Sequence, residues 1–131
     1  MTFPSIVSVV LDTTDARALA EFYRELFGLE YREGYEPPPA GEPDPRGADW
    51  LLLRGAGVNL AFQQVAQLPR STWPEDGVPQ MLHLDATVPD LAELERQRAR
   101  AEELGAQVLL DASDDADEPI YVFADPAGHP F

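Results

Sequence analysis

The residues in this sequence best suited to chemistry are His83 and Asp85, which stand two positions apart in the stretch MLHLDATVPD, residues 81–90. The stretch alternates between apolar and polar side chains, which predicts an extended strand. In such a strand Leu82 and Leu84 would share a face that packs on helices. His83 and Asp85 would share the opposite face, where they could line a binding cavity.

His83 is one of only two histidines in the chain. In a cavity its imidazole could act as a catalytic general base, bind a metal ion or donate a hydrogen bond to a substrate carbonyl, with Asp85 orienting the ring. The alternative is a partly buried histidine satisfied by a neighbouring strand. The other histidine, His129, follows the turn sequence Asp-Pro-Ala-Gly, and a structural role in that turn is favoured.

Composition narrows the classes of function. A chain of 131 residues is predicted to form one domain, and the lack of cysteine excludes disulfides, thiolate metal sites and a cysteine nucleophile. No apolar run approaches the length of a membrane span, so a cytoplasmic protein is expected. The net charge of −15 would repel nucleic acids and anionic membranes. This negative charge would either attract a cationic small molecule or only support solubility. Part of the charge lies in the predicted solvated loop 111–118.

The elements around these residues follow from periodicity and caps. Apolar side chains at helical spacing predict a first helix over 15–27, with cap chemistry offered by Thr13, Thr14 and Asp15 and an end at Gly28. They also predict a second helix from Asp90 to Gly105. The second helix is expected to bury Leu91, Leu94, Ala101 and Leu104. Strands are predicted at 6–11, 29–32, 50–54, 58–64, 81–88, 108–110 and 120–124, and a last strand starts at His129 and is cut short at Phe131. Five prolines between Pro37 and Pro45 predict a loop.

An internal repeat organises these elements. Ser8 lies seven residues before Asp15, and His83 lies seven residues before Asp90. Each half reads strand, helix, strand, strand, strand, which predicts an α+β fold of two βαβββ modules with pseudo-twofold symmetry, whose curved mixed sheets surround a cavity. Module 1 spans residues 5–68 and module 2 residues 79–131, joined by a proline-containing connector over 69–78. Trp73 in that connector is either a lid over a ligand or a hydrophobic plug.

At this point the chain resembles the glyoxalase/bleomycin-resistance/dioxygenase family, the vicinal-oxygen-chelate superfamily. The resemblance rests on FYRELFGLEY after a capped aspartate, the Trp-Pro loop, HLDATVPD, LGA and DPAGHPF in that order. It implies paired βαβββ modules around a U-shaped cavity, often in a homodimer. In the family's enzymes a divalent metal in the cavity chelates adjacent substrate oxygens, and other members sequester antibiotics without catalysis.

The resemblance also implies where a metal would be held. The family takes ligands from the first and the last strand of each module, and the matching positions here are Ser8, Ala61 and His83, while the fourth would fall just past Phe131. Ser8 and Ala61 are poor metal ligands, and Gln63 and Asp85 are at most helpers. His83 is therefore the single good ligand. A divalent metal is possible, but a cavity without a metal or another cofactor is favoured.

From the sequence we predict a protein that binds a small organic molecule in a cavity lined by aromatic side chains. Trp50, Tyr121 and Phe123 correspond across the repeat and either wall this cavity or form ordinary core. The predicted ligand-binding residues are Ser8, Trp50, Ala61, Gln63, His83, Asp85, Tyr121 and Phe123. The alternatives are a lyase, isomerase or dioxygenase that uses a metal or His83 as catalytic base, and a purely structural or regulatory dimer.

Overall fold

The computed structural model of the chain describes residues 2–131 and has an α+β fold. The chain divides into two compact units, one ending at Leu68 and the other beginning at Pro69. The predicted connector, residues 69–78, belongs to the second unit. Each unit is described by itself below.

The first unit has the predicted βαβββ order. Its elements are β1 (Ser8–Thr13), α1 (Ala16–Phe27), β2 (Glu30–Tyr31), β3 (Trp50–Arg54) and β4 (Asn59–Gln64). The four strands form a mixed sheet in the order β1-β4-β3-β2, in which β1 runs parallel to β4 and the other neighbours are antiparallel. The strand β1 therefore lies at one edge of this sheet, and it begins two residues later than predicted.

Local signals set the ends of α1. The side chain of Asp15 accepts a hydrogen bond from the backbone N–H of Ala18, and Gly28 ends the helix with a φ of 66°. The apolar stripe of α1 faces the sheet, where the ring of Tyr23 stacks on that of Phe62 at 5.7 Å. Both residues are fully buried, so this contact lies at the centre of the first unit's core.

The second unit contains one helix and one antiparallel strand pair. Its elements are α2 (Leu91–Leu104), β5 (Gln107–Ala112) and β6 (Ile120–Ala124). As predicted, Asp90 caps α2 and Gly105 ends it. The predicted last strand is present only as backbone pairing to β6, through a bridge between Ala124 and Pro130 and hydrogen bonds of 2.8 and 2.9 Å between Phe123 and Phe131.

The predicted strand over residues 81–88 is wrong. No described residue pairs with this segment as a strand, and residues 80–88 make no backbone–backbone hydrogen bond within the described chain, 2–131. The 53% exposure of Leu82 shows that the predicted apolar face of this segment does not pack on a helix. The physical reason is the lack of a neighbouring strand. In the first unit β1 is paired with β4. Residues 129–131, which correspond to β4 in the second unit, bond to β6 and to no residue of 81–88.

The predicted buried stripe of α2 is also largely wrong. Ala101 is the one buried residue of this helix, and Leu91 is exposed. A helix buries its apolar stripe only against another element, and the segment expected beneath α2 has not formed a sheet. Most of the surface of α2 is instead a charged, solvated face with ion pairs such as Arg98–Glu102 at 2.7 Å.

Candidate functional site

The predicted ligand-binding residues of the first unit share one face of its sheet. Phe62 points towards α1, and side chains alternate along a strand, so Ala61 and Gln63 point to the opposite face. The strand register adds the neighbours of β4: Ser8 is paired with Asn59, and Trp50 with Gln63. We call this surface the open face; it carries Ser8, Trp50, Ala61 and Gln63.

These four residues differ in their access to solvent. Gln63 is exposed, Ser8 and Trp50 are half-buried, and Ala61 is fully buried between its strand neighbours Val10 and Leu52. The amide of Gln63 and the indole of Trp50 are therefore neighbours on the open face, whereas the hydroxyl of Ser8 lies at the level of Asn59, roughly 13 Å further along the strands. Ala61 lies at the base of this face and is too buried to contact a ligand directly.

His83 and Asp85 lie in the unpaired segment of the second unit. Their side chains meet, with Nε2 of His83 3.3 Å from Oδ1 of Asp85, which confirms that the two residues point to the same side. The contact is exposed, with 51% of the His83 side chain and 90% of the Asp85 side chain accessible. Asp85 can thus orient the imidazole, but solvent surrounds both groups, and an exposed pair of this kind is weak.

Tyr121 has a different environment from its repeat equivalent Trp50. The hydroxyl of Tyr121 donates to Glu95, and the guanidinium of Arg98 lies over the Tyr121 ring at 5.5 Å, so this side chain contacts α2. Trp50 lies on the face away from α1. The two positions therefore differ in their surroundings, because Tyr121 packs on the helix of its own unit, and the predicted role of Tyr121 in a cavity wall stays a prediction.

Phe123 also has a packing partner. Its ring stacks on that of Phe131 at 5.2 Å and lies 5.9 Å from the ring of Tyr121. These contacts match the alternative of ordinary core for Phe123. Its predicted role in a cavity wall stays a prediction.

The turn at residues 125–128 forms as the sequence predicts. Asp125 is buried, and its Oδ1 accepts hydrogen bonds from the backbone N–H groups of Ala127 at 2.9 Å and His129 at 3.0 Å. Gly128 adopts a φ of 97°, and the side chain of Arg70 lies 3.0 Å from where a Cβ would stand. The backbone of His129 thus takes part in the turn, as expected of a structural role.

Trp73 lies in a closed loop of the connector. The hydroxyl of Thr72 accepts a hydrogen bond of 2.9 Å from the N–H of Val78, which brings the two ends of the loop together. Arg70 anchors this region by donating to the carbonyl of Pro126 at 2.9 Å. Trp73 is half-buried, which fits both a lid and a plug.

Sequence reasoning missed a clamp that holds the proline-rich loop to α1. The guanidinium of Arg17 donates to both carboxylate oxygens of Asp44, at 2.8 and 3.0 Å, and to the carbonyl of Tyr35 at 2.7 Å. The hydrogen bond from Arg17 lowers the pKa of Asp44 below its ordinary value. Asp44 also accepts from the N–H of Gly47, where a Cβ would stand 2.1 Å from Oδ2 of Asp44. No local pattern joins residues this far apart in the sequence.

The clamped loop brings Tyr35 to Trp50. The two rings meet edge to face with centroids 6.0 Å apart. The guanidinium of Arg46 lies 4.4 Å from the centre of the Tyr35 ring, and that of Arg32 lies 5.9 Å from it. Beside this cluster the loop encloses an open hollow of about 190 Å³, lined by Glu36, Pro38, Pro43, Asp44, Pro45 and Arg46.

The described residues do not fit the metal that the resemblance implies. Within residues 2–131 no group of three or more histidine, aspartate or glutamate side chains is placed to hold a metal ion. At the positions that match the family's ligands the first unit presents Ser8 and Ala61, neither of which supplies the imidazole or carboxylate that a first-row divalent ion needs. The exposed pair of His83 and Asp85 provides two candidate ligands at most.

Comparison with protein families decides the relationship, since a family model described as "Glyoxalase-like domain" matches residues 8–131. The chain belongs to the glyoxalase-like domain family. This glyoxalase-like chain has no match among the curated proteins compared. No helix in residues 2–131 is long and apolar enough to cross a membrane.

Solved structures support the same fold. A glyoxalase/bleomycin resistance protein/dioxygenase family enzyme from Burkholderia phytofirmans is 18% identical, with a TM-score of 0.69 and coverage of 98% of this chain and 95% of that chain. A lactoylglutathione lyase from Agrobacterium tumefaciens is 21% identical, with a TM-score of 0.58 and coverage of 96% and 89%. A mutant of the fosfomycin resistance protein FosX from Listeria monocytogenes, bound to Mn(II) and a dihydroxypropylphosphonic acid, is 15% identical, with a TM-score of 0.68 and coverage of 99% and 90%. At these identities the likeness establishes the fold.

Proposed function

We propose that this glyoxalase-like protein binds a small organic molecule on the open face of its first unit, without a complete catalytic metal site. One observation carries the proposal: the exposed amide of Gln63 is paired directly opposite the half-buried Trp50, on a face where the positions that match the family's metal ligands hold Ser8 and Ala61. Ligand sites typically combine apolar or aromatic walls with a few polar groups that fix orientation. The predicted contribution of His83 and Asp85 to the same ligand stays a prediction.

A thermal-shift screen of the full chain tests this proposal. The screen should include dicarbonyls, thiol adducts and cationic antibiotics, each measured with and without a chelator. We expect a binder whose affinity falls at least about tenfold in Gln63→Ala, because a hydrogen bond to the ligand is lost. Gln107→Ala, an exposed glutamine on β5, is the matched control and should leave the affinity unchanged. No binder across these classes would contradict the proposal.

The second candidate function is a metal-dependent lyase, isomerase or dioxygenase. It is favoured by two structural neighbours whose names state a lyase activity and a bound Mn(II) ion. In this chain His83, whose Nε2 lies 3.3 Å from the Asp85 carboxylate, would be the base for proton abstraction. Stoichiometric nickel, zinc, iron or manganese in the purified protein, lost in His83→Ala, would favour this candidate over the first.

We also propose that the chain forms a homodimer, because it presents one unpaired strand edge and a second segment with unpaired backbone groups. The outer edge of β1 has no neighbour in its sheet, and the adjoining Val7 is 67% exposed. Residues 80–88 carry unpaired backbone groups next to the exposed Met81 and Leu82. Unpaired extended edges with apolar side chains are templates for pairing with another chain.

Light scattering tests the dimer. We expect twice the 14.4 kDa mass of the monomer, and a monomer on replacing Val10 of β1 with lysine. A wild-type protein that is monomeric at high concentration would contradict the dimer. The acidic surface supports the further predictions that neither nucleic acid nor membrane is a partner, and cytoplasmic localisation also remains a prediction.

A further inference from the structure

Tyr35 is held in place by its backbone and presents its ring beside the open face. Its carbonyl accepts a hydrogen bond of 2.7 Å from Arg17 on α1, and its ring contacts the indole of Trp50. Because Arg17 is itself fixed by Asp44, the Tyr35 ring is positioned before any ligand arrives. The loop thereby extends the aromatic wall that begins at Trp50.

Two arginines flank this ring without a carboxylate partner. The guanidinium groups of Arg32 and Arg46 lie within 6 Å of the Tyr35 ring centre, and no described carboxylate, within residues 2–131, forms an ion pair with either. This is notable in a chain with 24 acidic residues and 9 basic ones. Stacking on an aromatic ring orients a guanidinium while leaving its N–H groups free to bind an anion in its plane.

The carboxylates that line the adjoining hollow already have partners. Asp44 accepts from Arg17 and from the N–H of Gly47, and Glu36 accepts from the N–H of Gly34 at 2.9 Å. The hollow of about 190 Å³ is large enough for a carboxylate, phosphate or phosphonate group. Arg46 lines this hollow, Arg32 lies on the same Tyr35 ring, and both guanidinium groups are exposed and available to an anion.

We propose that Arg32 and Arg46, oriented by the Tyr35 ring, bind the anionic group of a small molecule whose apolar body lies against Trp50. The ligand class is thus an organic carboxylate, phosphate or phosphonate, and this inference rests on the proposed function of the open face. Guanidinium groups recognise such anions through paired N–H donors. The two guanidinium groups favour a negative group at this position, although the protein as a whole is strongly acidic.

Fluorescence titration of the full chain tests this inference. Trp73→Phe leaves Trp50 as the single tryptophan reporter, since the chain contains two. The probes are benzoate and phenylphosphonate, the neutral analogue benzamide, and inorganic phosphate. We expect both organic anions to change Trp50 emission at concentrations below about 10 mM, and benzamide to bind at least about tenfold more weakly.

Variants separate this anion site from general charge effects. Arg32→Gln and Arg46→Gln should each weaken phenylphosphonate binding at least about tenfold. Arg54→Gln is the matched control, because Arg54 is exposed at the far end of β3 and lies over no ring; its affinity should not change. A stable fold in each variant is checked by thermal unfolding.

The outcomes distinguish this inference from the proposed function. Benzamide binding as tightly as benzoate, with Gln63→Ala still weakening both, would overturn the anion site and leave the open face as a ligand site. Inorganic phosphate binding as tightly as phenylphosphonate would also overturn the inference, because the organic body would then contribute nothing. No response to any probe overturns it as well, and the broader screen then decides the proposed function.

Discussion

Ser8 and His83 stand at matching places in the sequence but in opposite backbone environments. Ser8 begins a strand that is hydrogen-bonded to β4 along its length, in a sheet covered by α1. His83 lies in a segment with no backbone–backbone hydrogen bond to any described residue. Alternating apolar and polar residues thus make a segment compatible with a strand, whereas the strand forms only where a neighbouring strand is available for pairing.

The largest expected difference between these two regions is in amide hydrogen exchange. At low protein concentration, the amides of residues 80–88 should exchange at least about a thousandfold faster than those of β1, since exchange follows local opening. Mass spectrometry of peptic fragments measures both segments in one experiment. Protection of residues 80–88 that rises with protein concentration would support strand pairing in a dimer, and strong protection at every concentration would contradict the unpaired segment.

Core substitutions sharpen the same contrast. Phe62→Ala should lower the free energy of unfolding by about 3–5 kcal/mol, because it removes a fully buried ring stacked on Tyr23. Leu82→Ala, in the exposed segment, should cost less than about 1 kcal/mol. Urea unfolding monitored by circular dichroism provides the comparison. Equal losses in the two variants would show that residues 81–88 are packed as well as β4.

Alkaline pH should destabilise the first unit through Tyr31. Burial raises the pKa of Tyr31 to about 12. The hydrogen bond to Glu21 adds to this rise, and Arg17 opposes it in part. The unfolded tyrosine ionises near pH 10, so the stabilisation is complete below about pH 10 and is lost as pH rises to about 12. We expect a loss of about 1–2 kcal/mol over this range, reduced by partial solvent screening.

Tyr31→Phe is the control for that pH dependence. It removes the ionisable group while keeping the ring on which Arg17 lies at 5.1 Å. The free energy of unfolding, measured in urea between about pH 9 and 12, should then fall less steeply with pH than in the wild type, because the contribution of Tyr31 is gone. An unchanged slope in Tyr31→Phe would assign the alkaline loss to other groups.

The smallest predicted effect is at the end of α1. Gly28→Ala should cost about 1 kcal/mol, because a φ of 66° strains an alanine although no atom lies within 4 Å of its Cβ. Gly28→Asn should cost less, since asparagine adopts this backbone conformation more readily. Thermal unfolding orders the two variants, and exchange in residues 80–88 should stay unchanged. A larger loss for asparagine would show that the cap depends on more than backbone strain.

The parts of the fold that depend on neighbouring residues were predictable from the sequence. Asp15 and Gly28 define α1, and Asp90 and Gly105 define α2, because caps are local hydrogen-bonding motifs. The strands β3 and β6 also have their predicted bounds. The family resemblance was confirmed by the family model, which spans residues 8–131.

The parts that depend on distant partners were not predictable. Residues 81–88 carry a strong strand pattern, yet pairing requires a second strand that their composition does not reveal. The packing of Tyr121 on α2 follows from contacts with Glu95 and Arg98 that the repeat does not encode. The clamp between Arg17 and Asp44 crosses a proline-rich loop, where periodicity gives no information on contacts.

The most direct test of the account is ligand affinity measured by isothermal titration calorimetry before and after exhaustive dialysis against a chelator. The ligand is the tightest binder from the thermal-shift screen, and the protein is the full wild-type chain. A metal-free binding site built around Gln63 and Trp50 predicts the same dissociation constant in both preparations. A loss of affinity of about tenfold or more on chelation, restored by one equivalent of a divalent metal, would contradict it.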